Sequence, residues 1–128
     1  MYRIAVVDDD SMMQKVLRAM FEAHDCEMRI WGDGKSALRE LAAERPDLVI
    51  LDVNLPDMTG HEVCRSLKSN PETKDIPVLM LTGEAREIDN RVRALELGAD
   101  DYLFKPVGPR LLVSRVTALL RTKERPAR

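Results

Sequence analysis

The sequence predicts a doubly wound α/β fold built on a five-stranded parallel sheet, and two observations carry that prediction. Short apolar runs alternate along the chain with segments of helical periodicity, the pattern of repeated βα units. Four of the runs also end in polar side chains. Asp8 and Asp9 follow Ile4-Ala5-Val6-Val7, Asp52 follows Leu48-Val49-Ile50-Leu51, Thr82 follows Val78-Leu79-Met80-Leu81, and Lys105 follows Tyr102-Leu103-Phe104. Ligands bind at the carboxyl ends of strands in parallel α/β sheets. Four such ends in chain order therefore define a single site.

Taken in order, residues 2–7 read as a fully buried strand. Ser11 to His24 places Met13, Val16, Leu17, Met20 and Phe21 at helical spacing. Residues 27–31 make a poorer strand, expected at an edge. Asp33-Gly34 is a turn, and Ser36 to Glu44 a helix with Ala37, Leu38 and Leu41 inward, stopped by Arg45-Pro46-Asp47. Residues 48–52 are the most apolar strand. Asn54 to Gly60 is rich in turn formers, and His61 to Ser69 is a helix closed by Asn70-Pro71. Residues 77–82 form a strand opened by Pro77. Glu84 to Leu97 forms a helix ended by Gly98, a good residue just past a helix end. Residues 101–105 are the last strand. Pro109 to Arg121 is the last helix, with Leu112, Val116, Leu119 and Leu120 on one face.

At 128 residues the chain has room for one domain with one core. The domain is expected over 1–121, with 122–128 a tail or the start of a linker to an output domain. A net charge of −2 gives no strong field toward nucleic acid or anionic membrane. There is no apolar run of transmembrane length and no signal-peptide pattern at Met1-Tyr2-Arg3. Cys26 and Cys64 form no CxxC and read as buried thiols in a reducing compartment. The expected location is the cytoplasm.

Strand order 2-1-3-4-5, the flavodoxin-like order, places the crevice between the first and third strands. Asp8, Asp9 and Asp52 then stand side by side. Three carboxylates so close repel one another, and a divalent cation removes the conflict. Asp10 is the best candidate to cap the first helix, but capping does not account for Asp52. An oxygen-only set favours Mg²⁺, with Mn²⁺ the alternative, over Zn²⁺. The backbone carbonyl at Asn54 is a further candidate ligand. A phosphoryl group on Asp52 would need partners for three oxygens: the metal, the ammonium of Lys105 and the hydroxyl of Thr82. These are the parts that phosphoryl transfer requires, with Asp52 as nucleophile.

The sequence at this point resembles the receiver domain of bacterial two-component response regulators, from Arg3 to about Leu120. Asp8-Asp9 is similar to the family's acidic pair. Asp52-Val53-Asn54-Leu55-Pro56-Asp57-Met58-Thr59-Gly60 resembles its DxxLPxMxG segment, and Thr82-Gly83 its switch Thr/Ser. Gly98-Ala99-Asp100-Asp101-Tyr102 matches the run into the last strand, and Lys105-Pro106 the family's Lys-Pro. The resemblance implies phosphoryl transfer from a phosphohistidine of a sensor histidine kinase, or from a phosphotransfer protein, to Asp52. It implies a switch in which the Thr82 hydroxyl moves inward and Tyr102 turns into the space it leaves. It also implies a cis peptide at Lys105-Pro106. Asn54 and Glu84, two residues beyond Asp52 and Thr82, would tune dephosphorylation by orienting a water.

In this family the face made by the fourth helix, last strand and last helix often forms a homodimer or binds a partner. Arg91, Glu96, Asp100, Asp101 and Arg115 stand where salt bridges on that face would need them. Leu97, Leu111 and Thr117 stand where charge would be expected, so the usual charged dimer is not fully written here. Leu97 and Leu111 either make a small apolar patch or tuck against the helix ends. His61 is expected partly exposed. Arg65, Lys68 and Lys74 read as solvated charge, and Trp31 as filler at the edge-strand end. A Mg²⁺-dependent phosphohydrolase and a dinucleotide-binding module are the competing readings. The first lacks a DxDxT arrangement. The second lacks GxGxxG and carries Asp8-Asp9-Asp10-Ser11 where a pyrophosphate would sit.

Overall fold

The computed structural model describes residues 1–83, 92 and 95–124. Its strands are β1 (Tyr2–Val7), β2 (Cys26–Trp31), β3 (Leu48–Asp52), β4 (Val78–Thr82) and β5 (Asp101–Phe104). They pair in parallel as one sheet in the order β2-β1-β3-β4-β5. Helices α1 (Ser11–Glu22), α2 (Gly34–Glu44), α3 (Gly60–Ser69) and a C-terminal helix (Pro109–Glu124) connect and cover it. Of the helix expected over Glu84–Leu97, only Val92 and residues 95–97 are among the described residues.

Alternation along the central strands builds two apolar layers. Ala5, Val7, Val49, Leu51, Val78, Met80 and Tyr102 face Ala37 and Leu41 of α2 and Val63, Cys64 and Leu67 of α3. Ile4, Val6, Ile50, Leu79, Leu81 and Leu103 face Leu17 and Phe21 of α1 and Leu112, Val116 and Leu120 of the C-terminal helix. Every residue of β3 and β4 is buried, which is why these segments read as unbroken apolar runs. Each large side chain so buried contributes about 1.5–3 kcal/mol.

Helix starts follow their caps. The Asp10 carboxylate accepts from the Met12 and Met13 amides, and that of Asp33 from Ser36. Because Asp33 is the cap, α2 begins at Gly34, two residues before the expected start. Thr59 caps α3 through the Glu62 amide. The left-handed Arg45 ends α2 ahead of Pro46. Helix α1 stops at Glu22 rather than His24, with Asp25 left-handed beyond it. The C-terminal helix continues past Arg121 to Glu124.

Two expectations about charge and exposure fail here. Lys68 is not solvated: its side chain is 17% exposed, and its Nζ donates to the carbonyls of Lys74 and Ile76 and to Asp100. The Asp100 carboxylate also accepts from the Val78 amide. One lysine thus ties the end of α3 to the starts of β4 and β5. Gly98, at φ +101, lies over its stem, and a Cβ there would come within 3.0 Å of Lys68 Cγ. His61 is buried rather than partly exposed, since α3 turns that side of its first turn inward.

The face of β5 and the C-terminal helix keeps one of its charged pairs within the chain. Arg115 Nη1 reaches both oxygens of Asp101, at 2.7 and 2.9 Å. Leu97 is half-buried against the core, whereas Leu111 stays exposed. Trp31 is buried at the end of β2 with the Arg29 guanidinium over its ring. Among the described residues no helix is long and apolar enough to cross a membrane.

Candidate phosphoacceptor and metal site

The carboxyl ends of β1 and β3 are neighbours because β1 pairs with β3, Val7 standing opposite Leu51. Asp8 and Asp52 each stand one step further along and come together there. With Asp9 they present carboxylate oxygens that all lie within 4.8 Å of one another. Asp8 and Asp52 are buried and Asp9 is exposed. Asp8 is held on every side. Its amide donates to the Trp31 carbonyl, its carbonyl accepts from the Gln14 side chain, and its Oδ1 accepts from the Asp10 amide.

Lys105 supplies the cation. Its Nζ lies 3.0 Å from Asp8 Oδ2 and 3.7 Å from Asp52 Oδ1. It follows β5 directly, where its amide donates to the Thr82 carbonyl, and the Lys105-Pro106 peptide is cis. Thr82 ends β4 opposite Phe104 and is fully buried. Tyr102 is buried two residues before Phe104, with the two rings edge to face at 5.4 Å. Asp8, Asp9, Asp52, Thr82 and Lys105 thus converge on one end of the sheet. Tyr102 stands one pleat back, in the layer shared with Met80. Asn54 lies at the base of the loop after β3, pairing with Thr59 as an isolated bridge. Glu84 lies outside the described residues.

Burial is the main reason the Asp52 pKa rises, from 3.8 to about 6, and the negative charge of Asp8 adds to it. The Lys105 ammonium and the Asn54 and Val53 amides pull the other way without cancelling the rise. Among the described residues three carboxylates meet one ammonium, which leaves negative charge to spare. An oxygen-only donor set of this kind suits Mg²⁺ or Mn²⁺ and not Zn²⁺. Asp8, Asp9 and Asp52 fit such an ion, and the Asn54 backbone stands at the same end of the sheet. A cleft of about 400 Å³ opens beside them, lined by Asp9 and the loop from Val53 to Thr59.

Sequence reasoning did not single out two supports of this loop. Gly60 approaches the backbone of the acceptor so closely that a Cβ would stand 2.2 Å from the Asp52 carbonyl oxygen; its place in the DxxLPxMxG segment was the available signal. Asp57 accepts from the amides of Gly34 and Lys35, both at 2.9 Å. These bonds hold its carboxyl below the usual carboxylate range. No local pattern links Asp57 to a helix start 23 residues earlier.

The family model for the response regulator receiver domain matches residues 4–117. The DNA-binding response regulator MtrA of Mycolicibacterium smegmatis is 43% identical over 95% of this chain and 52% of its own length. The chain thus spans about half the length of the curated relatives it matches. Among solved structures, the receiver domain of a signal transduction histidine kinase from Syntrophus aciditrophicus is similar at TM-score 0.90 and 35% identity, over 99% of this chain and 96% of that one. The receiver domain of a sensor histidine kinase from Pseudomonas aeruginosa, with a magnesium ion coordinated in its active-site cleft, matches at TM-score 0.85 and 27% identity. That match covers 94% of this chain and 98% of the other. The motif matched along residues 4–117, the sheet order and these relatives lead to one conclusion: the chain belongs to the response regulator receiver domain family.

Proposed function

We propose that Asp52 is the phosphoacceptor of this receiver, taking its phosphoryl group from a phosphohistidine of a sensor histidine kinase or of a phosphotransfer protein. The observation that carries the reading is the convergence of Asp8, Asp9 and Asp52 within 4.8 Å, with Lys105 laid across Asp8 and Asp52. A carboxylate oxygen of Asp52 attacks phosphorus, the bond from phosphorus to the imidazole nitrogen breaks, and the imidazole keeps that electron pair. With a pKa of about 6 the carboxyl is largely ionised at neutral pH. Asp8, Asp9, Asp52 and the Asn54 carbonyl would hold Mg²⁺, with Mn²⁺ as substitute. When bound, the metal supplies charge neutralisation on the phosphoryl oxygens. Lys105 and Thr82 take the remaining oxygens.

The Thr82 hydroxyl and the Tyr102 ring form the switch in this reading. They lie on adjacent strands, with Thr82 opposite Phe104 and Tyr102 opposite Met80. A new bond at Thr82 alters the space available to the ring beside it. The readout surface is the face of the helix expected over Glu84–Leu97, β5 and the C-terminal helix, offered to a second copy or a partner. Residues 122–128 would lead toward an output domain. The relative named as DNA-binding is about twice as long as the stretch matched here, and this near-neutral unit has no strong field toward nucleic acid, so no direct DNA contact is proposed for it. We place the chain in the cytoplasm, where kinase and phosphoryl donor meet it. Its chemistry is limited to its own phosphorylation and dephosphorylation, with no turnover of an external substrate.

Acetyl phosphate with Mg²⁺, followed by intact-protein mass spectrometry, tests this. The parent should gain one phosphoryl group and Asp52→Asn none. An adduct of equal yield on the variant refutes the assignment. A steady release of product from small phosphoesters would favour the phosphohydrolase reading.

A further inference from the structure

Two of the loops at the acidic end are joined by a carboxylate outside the cluster. Helix α2 already has its own cap, since Asp33 takes the Ser36 amide and hydroxyl. Asp57 takes the two amides that the cap leaves, Gly34 and Lys35, one on each oxygen. It does so from the tip of the loop after β3. The base of that loop is fixed separately, by the Asn54–Thr59 bridge and by the Gly60 amide on the Val53 carbonyl at 2.7 Å. Met58 packs against the same helix start, where a Cβ on Gly34 would lie 2.5 Å from its Cγ.

The connection closes a ring around the acid cluster. Asp8 is bonded through its amide to Trp31. Trp31 leads through Gly32 and Asp33 into the first turn of α2. That turn is bonded to Asp57, and Asp57 leads back through the loop to Asn54 and Asp52. The ring thus joins the β1 and β3 ends that carry the carboxylates to the loop that carries Asn54.

We propose that Asp57 is a positioning residue for the metal and phosphoacceptor loop, bracing the loop against the first turn of α2 so that the Asn54 carbonyl faces the Asp8–Asp9 pair. The proposal rests on the reading of Asp8, Asp9, Asp52 and Asn54 as the Mg²⁺ ligands. Asp57 is not part of the Asp8, Asp9 and Asp52 cluster, and both of its oxygens are bonded to α2 amides. Its effect should therefore appear in metal affinity and not in the rate once the metal is saturating. Asparagine at this position keeps one acceptor oxygen and puts an NH₂ toward the other amide, so it should do part of the work. Alanine should do none.

The test is a Mg²⁺ titration followed by amide NMR shifts, on the parent, Asp57→Asn, Asp57→Ala and a control, Thr73→Val. The control removes a buried hydroxyl bond to the Leu67 carbonyl at the other end of α3. Asp57→Ala should weaken Mg²⁺ binding about tenfold, the lower range for groups that orient metal ligands. Asp57→Asn should fall between it and the parent, and Thr73→Val should match the parent. Acetyl phosphate labelling should need correspondingly more Mg²⁺ for half-maximal rate, with the saturated rate within about twofold of the parent, because the acceptor itself is untouched. Mg²⁺ affinity within about twofold of the parent in Asp57→Ala, alongside normal binding by the parent, sinks the proposal alone. Equal weakening in Thr73→Val also sinks it, by showing a general loss of stability. A parent that shows no shifts at millimolar Mg²⁺ removes the metal reading and this proposal with it.

Discussion

Replacing Asp52 by asparagine should stabilise the protein in the absence of metal, by an amount that grows with pH. The carboxyl is buried beside Asp8, and its pKa rises from 3.8 to about 6 on folding. A carboxyl whose pKa is raised in the folded state holds its proton more tightly there. The resulting penalty is absent below the unfolded value, grows as pH rises through the window from 3.8 to about 6, and is constant above it. A shift of roughly two units corresponds to about 3 kcal/mol when the penalty is complete. Asparagine keeps the shape and does not titrate. Its advantage over the parent should therefore increase by about 2–3 kcal/mol between about pH 4 and pH 8. Urea unfolding in a chelating buffer at both pH values measures this, with an expected midpoint shift of about 1–2 M. Mg²⁺ should then raise the parent toward the variant, because it binds only the folded acid cluster. An advantage that is the same at both pH values, or no advantage at pH 8, refutes the argument that a buried, crowded carboxylate is held at a cost.

Removing Asp9, the exposed member of the cluster, should leave metal-free stability unchanged or slightly raised while weakening Mg²⁺ binding and slowing phosphorylation more than loss of Asp8 does; urea unfolding in a chelating buffer checks the first, calorimetric titration the second and acetyl phosphate labelling the third. Lys68→Met keeps the stem over Gly98 and deletes the ammonium that serves two carbonyls and Asp100, so unfolding free energy should drop by about 2 kcal/mol, read by urea denaturation. Replacing Asn54 and Glu84 with larger apolar or cationic residues should lengthen the life of the phosphorylated state severalfold, from seconds or minutes in the parent. Phosphate release after removal of the donor measures it, and an unchanged decay rate discards the water-orienting role.

The strands were legible because their apolar runs are unbroken and their ends are polar. Burial on both faces produces the first property and the ligand-binding edge the second. The gathering of Asp8, Asp9 and Asp52 followed from strand order alone. What the sequence hid are contacts set by tertiary approach. Lys68 is a lysine late in a helix, and nothing local says that two carbonyls and Asp100 will close over it. Asp57 sits in a turn-rich loop where an aspartate is ordinary, and its partners lie on another βα unit. The sequence puts the start of α2 two residues late because Asp33-Gly34 reads as a turn, whereas the same aspartate serves as the cap. His61 reads as partly exposed at a helix start, but α3 turns that side of its first turn toward the core.

The site residues also guard the alignment of the sheet. Every residue of β3 and β4 is buried, so the apolar content of those strands does little to tell one alignment from the next. A one-step slip exchanges one aliphatic side chain for another on each face. The ends of the strands break that degeneracy. A slip that draws β3 inward carries Asp52 to the level now occupied by Leu51, between Val7 and Met80, away from Lys105 and from solvent. An ionised carboxylate so placed would be several kcal/mol out of favour. The residues read here as chemical machinery thus also serve as end stops against misregistered folding, and a variant that neutralises Asp52 relaxes one of those stops even as it gains equilibrium stability.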